Sequence, residues 1–346
     1  MITRRQLVLS CLGPALRADP TQAVHRRTRN VVLVTADGIR RQEFFHGSDP
    51  RLAGGEKKIP VLTREQLMPF VWDHIASRGL IVPAAVTNAY RVSYPGYAEI
   101  LTGRSQDDEI RGNQPVQNPT ETVLEYVRRR LALPRTGVAL FGSWDMFPYI
   151  GERTPGTVVI NAGYKRYEEP GVPARMKNLG ELQFLMLTPW PSVRHDYITF
   201  ELALEYMRHR QPRLIHISLG EMDDWAHDKR YDRVLDTIHF FDQCLHDLWR
   251  FVESDSHYRG STTLVVTADH GRGRTPEDWH AHGTKVAGAE EMWAAILGPD
   301  TPAAGYKPEL RVTQSDIAPT ILELLSLSAS GYPGMTGRLI PQATAG

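Results

Sequence analysis

Four near-continuous apolar runs constrain this chain more than any other feature: "NVVLVTADG" (30–38), "TGVALFGSW" (136–144), "RLIHISLGEMD" (213–223) and "STTLVVTADHG" (261–271). A strand with one solvated face alternates apolar and polar residues, whereas a run without alternation fits a strand covered on both faces, as in parallel sheets. Helical periodicity fills the chain between them. It is clearest over about 230–254, where Val234, Ile238, Phe241, Leu245, Leu248 and Val252 share one face. Alternating strands and helices predict an α/β layered fold. Residues 145–195, rich in Pro, Gly, Tyr and Arg, read as a long excursion over the sheet rather than part of it.

Three of the runs end in acids or imidazoles. The first delivers Asp37, the third Asp223 and His227, and the fourth Asp269 and His270. In open α/β sheets, ligands bind at the carboxyl ends of the strands. Carboxylates gathered there repel one another and lose hydration, at a cost of several kcal/mol unless cations neutralise them. Mixed His and Asp donors suit zinc, with manganese or iron as alternatives. Each residue also has a plainer reading. Asp37 could cap a helix before "GIRRQEF", Asp223 and His227 could be a surface pair one helical turn apart, and His282 could be a loop histidine.

The bulk composition excludes some functions. The chain has 346 residues, 41% of them hydrophobic, which is enough for a substantial core. Its 40 basic and 40 acidic residues cancel, so no global field favours nucleic acid, and a charged ligand must be caught locally. The first 18 residues read as an export signal of the twin-arginine type: Arg4 and Arg5, an uncharged run from Gln6 to Leu16, then small residues. That run is too short to span a bilayer, so the mature chain is expected to be periplasmic or extracellular with no transmembrane helix. Removal of the leader takes Cys11 with it and leaves Cys244 without a disulfide partner. Residues 26–346 read as a single catalytic domain.

Six segments in order resemble the alkaline phosphatase superfamily, particularly its nucleotide pyrophosphatase/phosphodiesterase-like members. They are Asp37 after the first strand, "SYPGYAEILTG" (93–103), the Asp223-to-His227 spacing, "DHG" (269–271), "HG" (282–283) and "QSDIAPTILELL" (314–325). The resemblance covers about residues 30–340. It implies a three-layer sandwich around a mixed, mostly parallel sheet, and two divalent ions about 4 Å apart. Carried over by position, it assigns Asp37, Asp269, His270 and Ser93 to one ion, and Asp223, His227 and His282 to the other. His280 is the alternative to His282. Ser93 is then the nucleophile, activated by the ion it binds, and Asn113 contacts a substrate oxygen. The implied activity is hydrolysis of a small-molecule phosphoric ester. Arg91, Arg272, Arg274 and Lys285 are candidates to grip an anion, and Trp144, Tyr149, Tyr164 and Trp279 to form an aromatic platform.

Two departures bear on this reading. Sulfatases of the aldehyde-forming type carry Cys or Ser, any residue, Pro, any residue, Arg; here Ser93 and Pro95 fit, but Tyr97 stands in the arginine's place. Cofactor-independent phosphoglycerate mutases share the metal motifs but carry a large inserted domain that this chain is too short to hold. A sulfatase-like ester hydrolase and a non-catalytic metal-binding member of the fold are the alternatives.

Overall fold

The computed structural model describes residues 26–53 and 59–344, so the expected leader lies outside the described residues. Nine strands form one sheet: β1 (Asn30–Ala36), β2 (Leu80–Ala85), β3 (Val138–Gly142), β4 (Val159–Ala162), β5 (Leu214–Leu219), β6 (Thr262–Ala268), β7 (Glu291–Leu297), β8 (Gly305–Tyr306) and β9 (Val312–Thr313). Their order is β4-β3-β5-β1-β6-β7-β2-β8, with β9 also on β2. The segment from β4 to β6 is parallel throughout, and β7 runs against both its neighbours. The four apolar runs supply β3, β5, β1 and β6, whose residues are all buried. Helices flank this sheet, giving the α/β architecture with a mixed, mostly parallel sheet that the resemblance implied.

The helix Tyr231–Ser254 buries Val234, Ile238, Phe241, Leu245, Leu248 and Val252, the face its periodicity marks. One expectation needs correction. The 145–195 region is not wholly outside the sheet, because Val159–Ala162 pairs in parallel with β3 as an edge strand. This strand is four residues long and sits among glycines and prolines, so its apolar signal is too short to stand out. No helix of the described residues is long and apolar enough to cross a membrane.

Register decides where the chemistry falls. Ala36 at the end of β1 lies opposite both Leu219 of β5 and Ala268 of β6. The next residues, Asp37, Gly220 and Asp269, therefore leave the sheet side by side. Within this core, His216 of β5 shares a 2.8 Å hydrogen bond with Thr35 Oγ1 of β1. Burial pushes its imidazole down to about 3, so it stays neutral in the folded chain. An unfolded histidine takes up a proton near pH 6.5, so from there down to about pH 3 the unfolded state binds the extra proton and stability falls with pH. His216→Gln has nothing to titrate. Its stability measured by urea unfolding between pH 6.5 and 4.5, with chelator present throughout, should fall less steeply than the parent's, by up to about 1.4 kcal/mol per pH unit. Equal slopes would mean that His216 is not held neutral.

Candidate metal centre and active site

Ser93 is the first residue of a ten-residue helix, Ser93–Thr102, that is buried along its whole length. Its place is fixed from two sides. Gly96 lets the helix lie directly on the end of β6, since a Cβ there would come within 2.2 Å of the Asp269 carbonyl oxygen. One turn further on, the buried Glu99 carboxylate accepts from Thr87 N, Thr87 Oγ1, Asn88 N, Asn88 Nδ2 and Ser315 Oγ, at 2.6–3.1 Å. That single side chain holds the loop leading into Ser93.

Asp37, Asp269 and His270 converge on the Ser93 hydroxyl. Ser93 Oγ lies 3.4 Å from His270 Nε2, which in turn lies 3.3 Å from Asp37 Oδ1 and 3.6 Å from Asp269 Oδ2. Asp37 is therefore no helix cap; the following helix, Arg41–His46, has Arg40 at its N-cap position. Each carboxylate has one oxygen engaged. Asp37 Oδ2 accepts from the Tyr97 hydroxyl at 3.2 Å, and Asp269 Oδ1 accepts from Gly38 N and His270 N, both at 3.0 Å. The other oxygens, Asp37 Oδ1 and Asp269 Oδ2, are buried without a hydrogen bond. Two unsatisfied acceptors facing one imidazole nitrogen and one hydroxyl are the donor set of a cation site.

The second group opens toward solvent. His227 Nε2 is 3.0 Å from His282 Nε2 and 3.1 Å from Asp223 Oδ2, while His282 Nε2 is 3.7 Å from Asp223 Oδ1. These separations scatter around the roughly 3.3 Å edge of a tetrahedron with bonds of about 2.0 Å, the length of a zinc–imidazole bond. His280 is not in this group. The two groups, Asp37/Asp269/His270 and Asp223/His227/His282, each bring their donor atoms within 4.8 Å of one another. They adjoin through the His270 and His282 rings, stacked at 3.9 Å.

At His227 and His282 protonation agrees with ligation. The Nδ1–H of His270 donates to the Gly271 carbonyl at 2.9 Å, and that of His282 to the Arg91 carbonyl at 3.2 Å, so each ring is held with Nε2 toward its group. Burial, then the neighbouring His270, Arg272 and His227, depress His282; burial and His270 lower His227, so both are neutral donors. Burial, then the charge of Asp37, raises Asp269 well above the carboxylate range. Burial alone would depress His270, but Asp269 and Asp37 outweigh it and raise the ring to about 9. Two buried carboxylates thus compete for positive charge.

Arg272 has a role the sequence did not reveal. Its buried guanidinium donates to the carbonyls of Gly38, His280 and Asp223 at 2.6–3.3 Å and pairs with the Asp223 carboxylate. It braces the loops after β1 and β6 rather than standing free for an anion. Gly38, with φ of 67°, makes room for it, because a Cβ there would meet Arg272 Nε at 2.7 Å. Arg91 pairs with Glu290, and Arg274 with Glu290 and Glu291. Trp279 is buried against Tyr231 and Arg40, so it belongs to the core and not to a platform. Asn113 lies beside Ser93, with Oδ1 accepting from Tyr94 N at 2.9 Å.

With this geometry, comparison with known proteins has a definite meaning. The sulfatase family's sequence pattern matches residues 29–327. The chain belongs to the sulfatase family. It thereby falls in the alkaline phosphatase superfamily, as the six segments suggested. A superfamily protein from Vibrio parahaemolyticus has a TM-score of 0.59 at 16% identity, covering 93% of this chain and 74% of that one. A phosphonate monoester hydrolase of Agrobacterium radiobacter gives 0.58 at 16% identity, covering 91% and 77%. At these identities the likeness is one of fold. A 2,3-bisphosphoglycerate-independent phosphoglycerate mutase of Nostoc punctiforme is 32% identical over 134 residues, or 36% of this chain and 23% of the mutase. One from a Synechococcus species is 30% identical over 153 residues, 40% of this chain and 26% of the mutase. This family member thus spans about a quarter of the length of the curated relatives it matches.

Glu99 gives a direct test of how the site is held. Every neighbour of its carboxylate is a donor, so Glu99→Gln sets an amide N–H against donors. We expect a loss of about 3 kcal/mol in urea unfolding, against under about 0.5 kcal/mol for Glu109→Gln, whose carboxylate meets only Arg104 at the surface. Equal effects would show that the loop before Ser93 is held by something else.

Proposed function

We propose that the protein hydrolyses a phosphoric ester, with Ser93 as nucleophile and two divalent ions in the paired donor groups. Zinc suits the His and Asp donors best, with manganese or iron as alternatives. The observation that carries the reading is the pair of unbonded buried oxygens, Asp37 Oδ1 and Asp269 Oδ2, facing His270 Nε2 with Ser93 Oγ alongside. When bound, the ions would lower the pKa of the serine hydroxyl and offset charge on the reacting oxygens.

The chain's own residues supply the rest. Helix Ser93–Thr102 presents Oγ at its N-terminus, where the helix dipole favours an anion. Ser93 Oγ forms a bond to phosphorus as the bond to the leaving alcohol breaks, and its proton passes to solvent. Water then cleaves the phosphoseryl ester. Asn113, with its oxygen turned to Tyr94 N, keeps its amide N–H groups to donate to a substrate oxygen.

Charge favours a diester. Of the four candidate cations, Arg91, Arg272 and Arg274 are each engaged by a carboxylate, which leaves only the exposed Lys285 among them to meet the second negative charge of a monoester. Family membership keeps a sulfate ester, also a monoanion, as the second reading, while Tyr97 in place of the arginine counts against the aldehyde-forming type. We also propose that residues 26–346 act as one catalytic domain, exported behind the leader.

Assays on bis(4-nitrophenyl) phosphate, 4-nitrophenyl phosphate and 4-nitrophenyl sulfate should rank the diester first, and faster turnover of the sulfate would overturn the phosphoester assignment. Ser93→Ala should fold, keep its metal content and lose at least about a thousandfold in rate, roughly 4 kcal/mol of transition-state stabilisation. A parental rate would rule out Ser93 as nucleophile. Asp37→Asn should bring the purified protein from two equivalents of metal toward one, read by elemental analysis, because it removes one donor of the buried group. Two retained equivalents would show that Asp37 is not a ligand.

A further inference from the structure

Nine large hydrophobic side chains are exposed among the described residues, and four of them fall in one short segment. Leu182, Phe184, Leu185 and Leu187 fall within six residues, with Leu185 exposed to 78% and Leu187 to 97%. This segment is tied to the candidate site. His195 donates from Nε2 to the Leu187 carbonyl at 3.0 Å and from Nδ1 to Glu221, the first residue of the helix Glu221–His227 that carries Asp223 and His227. Trp190 packs edge-on against Trp225 of the same helix, ring centres 4.6 Å apart. On the Ser93 side, Val116 and Tyr149 are also exposed, and both their carbonyls accept from the hydroxyl of Tyr94, the neighbour of Ser93. Both sets lie at the carboxyl ends of the parallel strands, the edge that holds the donor groups.

We infer that this apolar rim seats the protein on a phospholipid surface, so that the ester reaching the site is a headgroup phosphodiester; the inference rests on the phosphoester reading above. Shape favours this occupant. Leu182 and Leu185 line an open depression with Leu179, but Leu187 stands almost fully exposed outside it, whereas pockets for the tail of a single ligand enclose their apolar contacts. A side chain of that kind is covered by something that wraps it, as lipid does for interfacial apolar residues. Position favours it too. A protein partner seated on the rim would cap the mouth of the site, whereas a surface made of substrate covers the rim and feeds the site together. Lys165 and Lys177 are exposed near the segment; of the carboxylates around Lys177, Glu169 pairs with Arg135 and Glu181 with Arg166, so the two lysines outnumber Glu168 and can meet lipid phosphates.

The test uses the full chain and phosphatidylglycerol vesicles, with flotation as the readout, which needs no turnover. The parent should float with the vesicles, and the double variant Leu185→Asp/Leu187→Asp should bind at least about tenfold less tightly. Both substituted positions are exposed, so the thermal midpoint should be unchanged and the rate on soluble bis(4-nitrophenyl) phosphate should remain within twofold of the parent's. Failure of the parent to float, or equal binding by the variant, would overturn the inference while leaving the phosphoester reading intact. Sedimentation velocity showing a parent dimer that the variant dissociates, without vesicle binding, would overturn it in favour of a contact between copies. Loss of diester hydrolysis in the parent would instead sink the phosphoester reading.

Discussion

Everything at the candidate site follows from placing acidic groups where they cannot be hydrated. The register of β1 against β5 and β6 makes Asp37 and Asp269 leave the sheet at the same level, and both are buried. Two such charges a few ångströms apart repel strongly in a medium that screens poorly. Hydrogen bonds from Tyr97, Gly38 and the His270 backbone satisfy one oxygen of each. The remaining oxygens have only His270 before them. A fold that keeps this arrangement must recover the lost hydration elsewhere, and a shared cation does so most directly.

The surroundings are built to hold that geometry rigid. Arg272 ties together two loop carbonyls and that of Asp223 in the helix Glu221–His227, and Glu99 gathers five donors around the approach to Ser93. Both are buried charges, expensive by themselves and acceptable only because every polar partner is in place. The metal-facing groups of the His227 side, by contrast, open to solvent. One half of the site is thus preorganised by burial, and the other is accessible from solvent.

What the sequence made legible was whatever depends on runs and order. Continuous apolar stretches marked β1, β3, β5 and β6, and their polar endings marked the sheet edge, because burial on both faces removes the alternation that other strands show. The strands β2 and β7 escaped notice. Pro83 interrupts the first, and the antiparallel direction of the second has no signature in a single run. The grouping of donor residues came from the family resemblance, and the structure brings those same residues into two clusters. Arg272 and Trp279 take the plainer roles, ion pair and core, and for a common reason stood as candidates: a charged or aromatic residue beside a motif looks available for ligand until its neighbours are known. The long-range contacts that engage them, from Arg272 to Gly38 and from Trp279 to Tyr231, leave no trace in local spacing.

Tyr97 shows how a single position can set the character of such a site. It lies one helical turn after Ser93, so its side chain points to the same sheet edge, where it accepts from Ser218 Oγ at 3.1 Å and donates to Asp37. Burial, then the charges of Asp269 and Asp37, raise its hydroxyl well above the phenol range, so it remains a donor. An arginine there would bring a fixed positive charge, satisfy Asp37 by itself and compete with any ion for the same carboxylate. A neutral hydroxyl orients Asp37 without cancelling its charge. The carboxylate pair then keeps its negative potential, as the candidate cation site requires, with no fixed positive charge from the helix that carries Ser93.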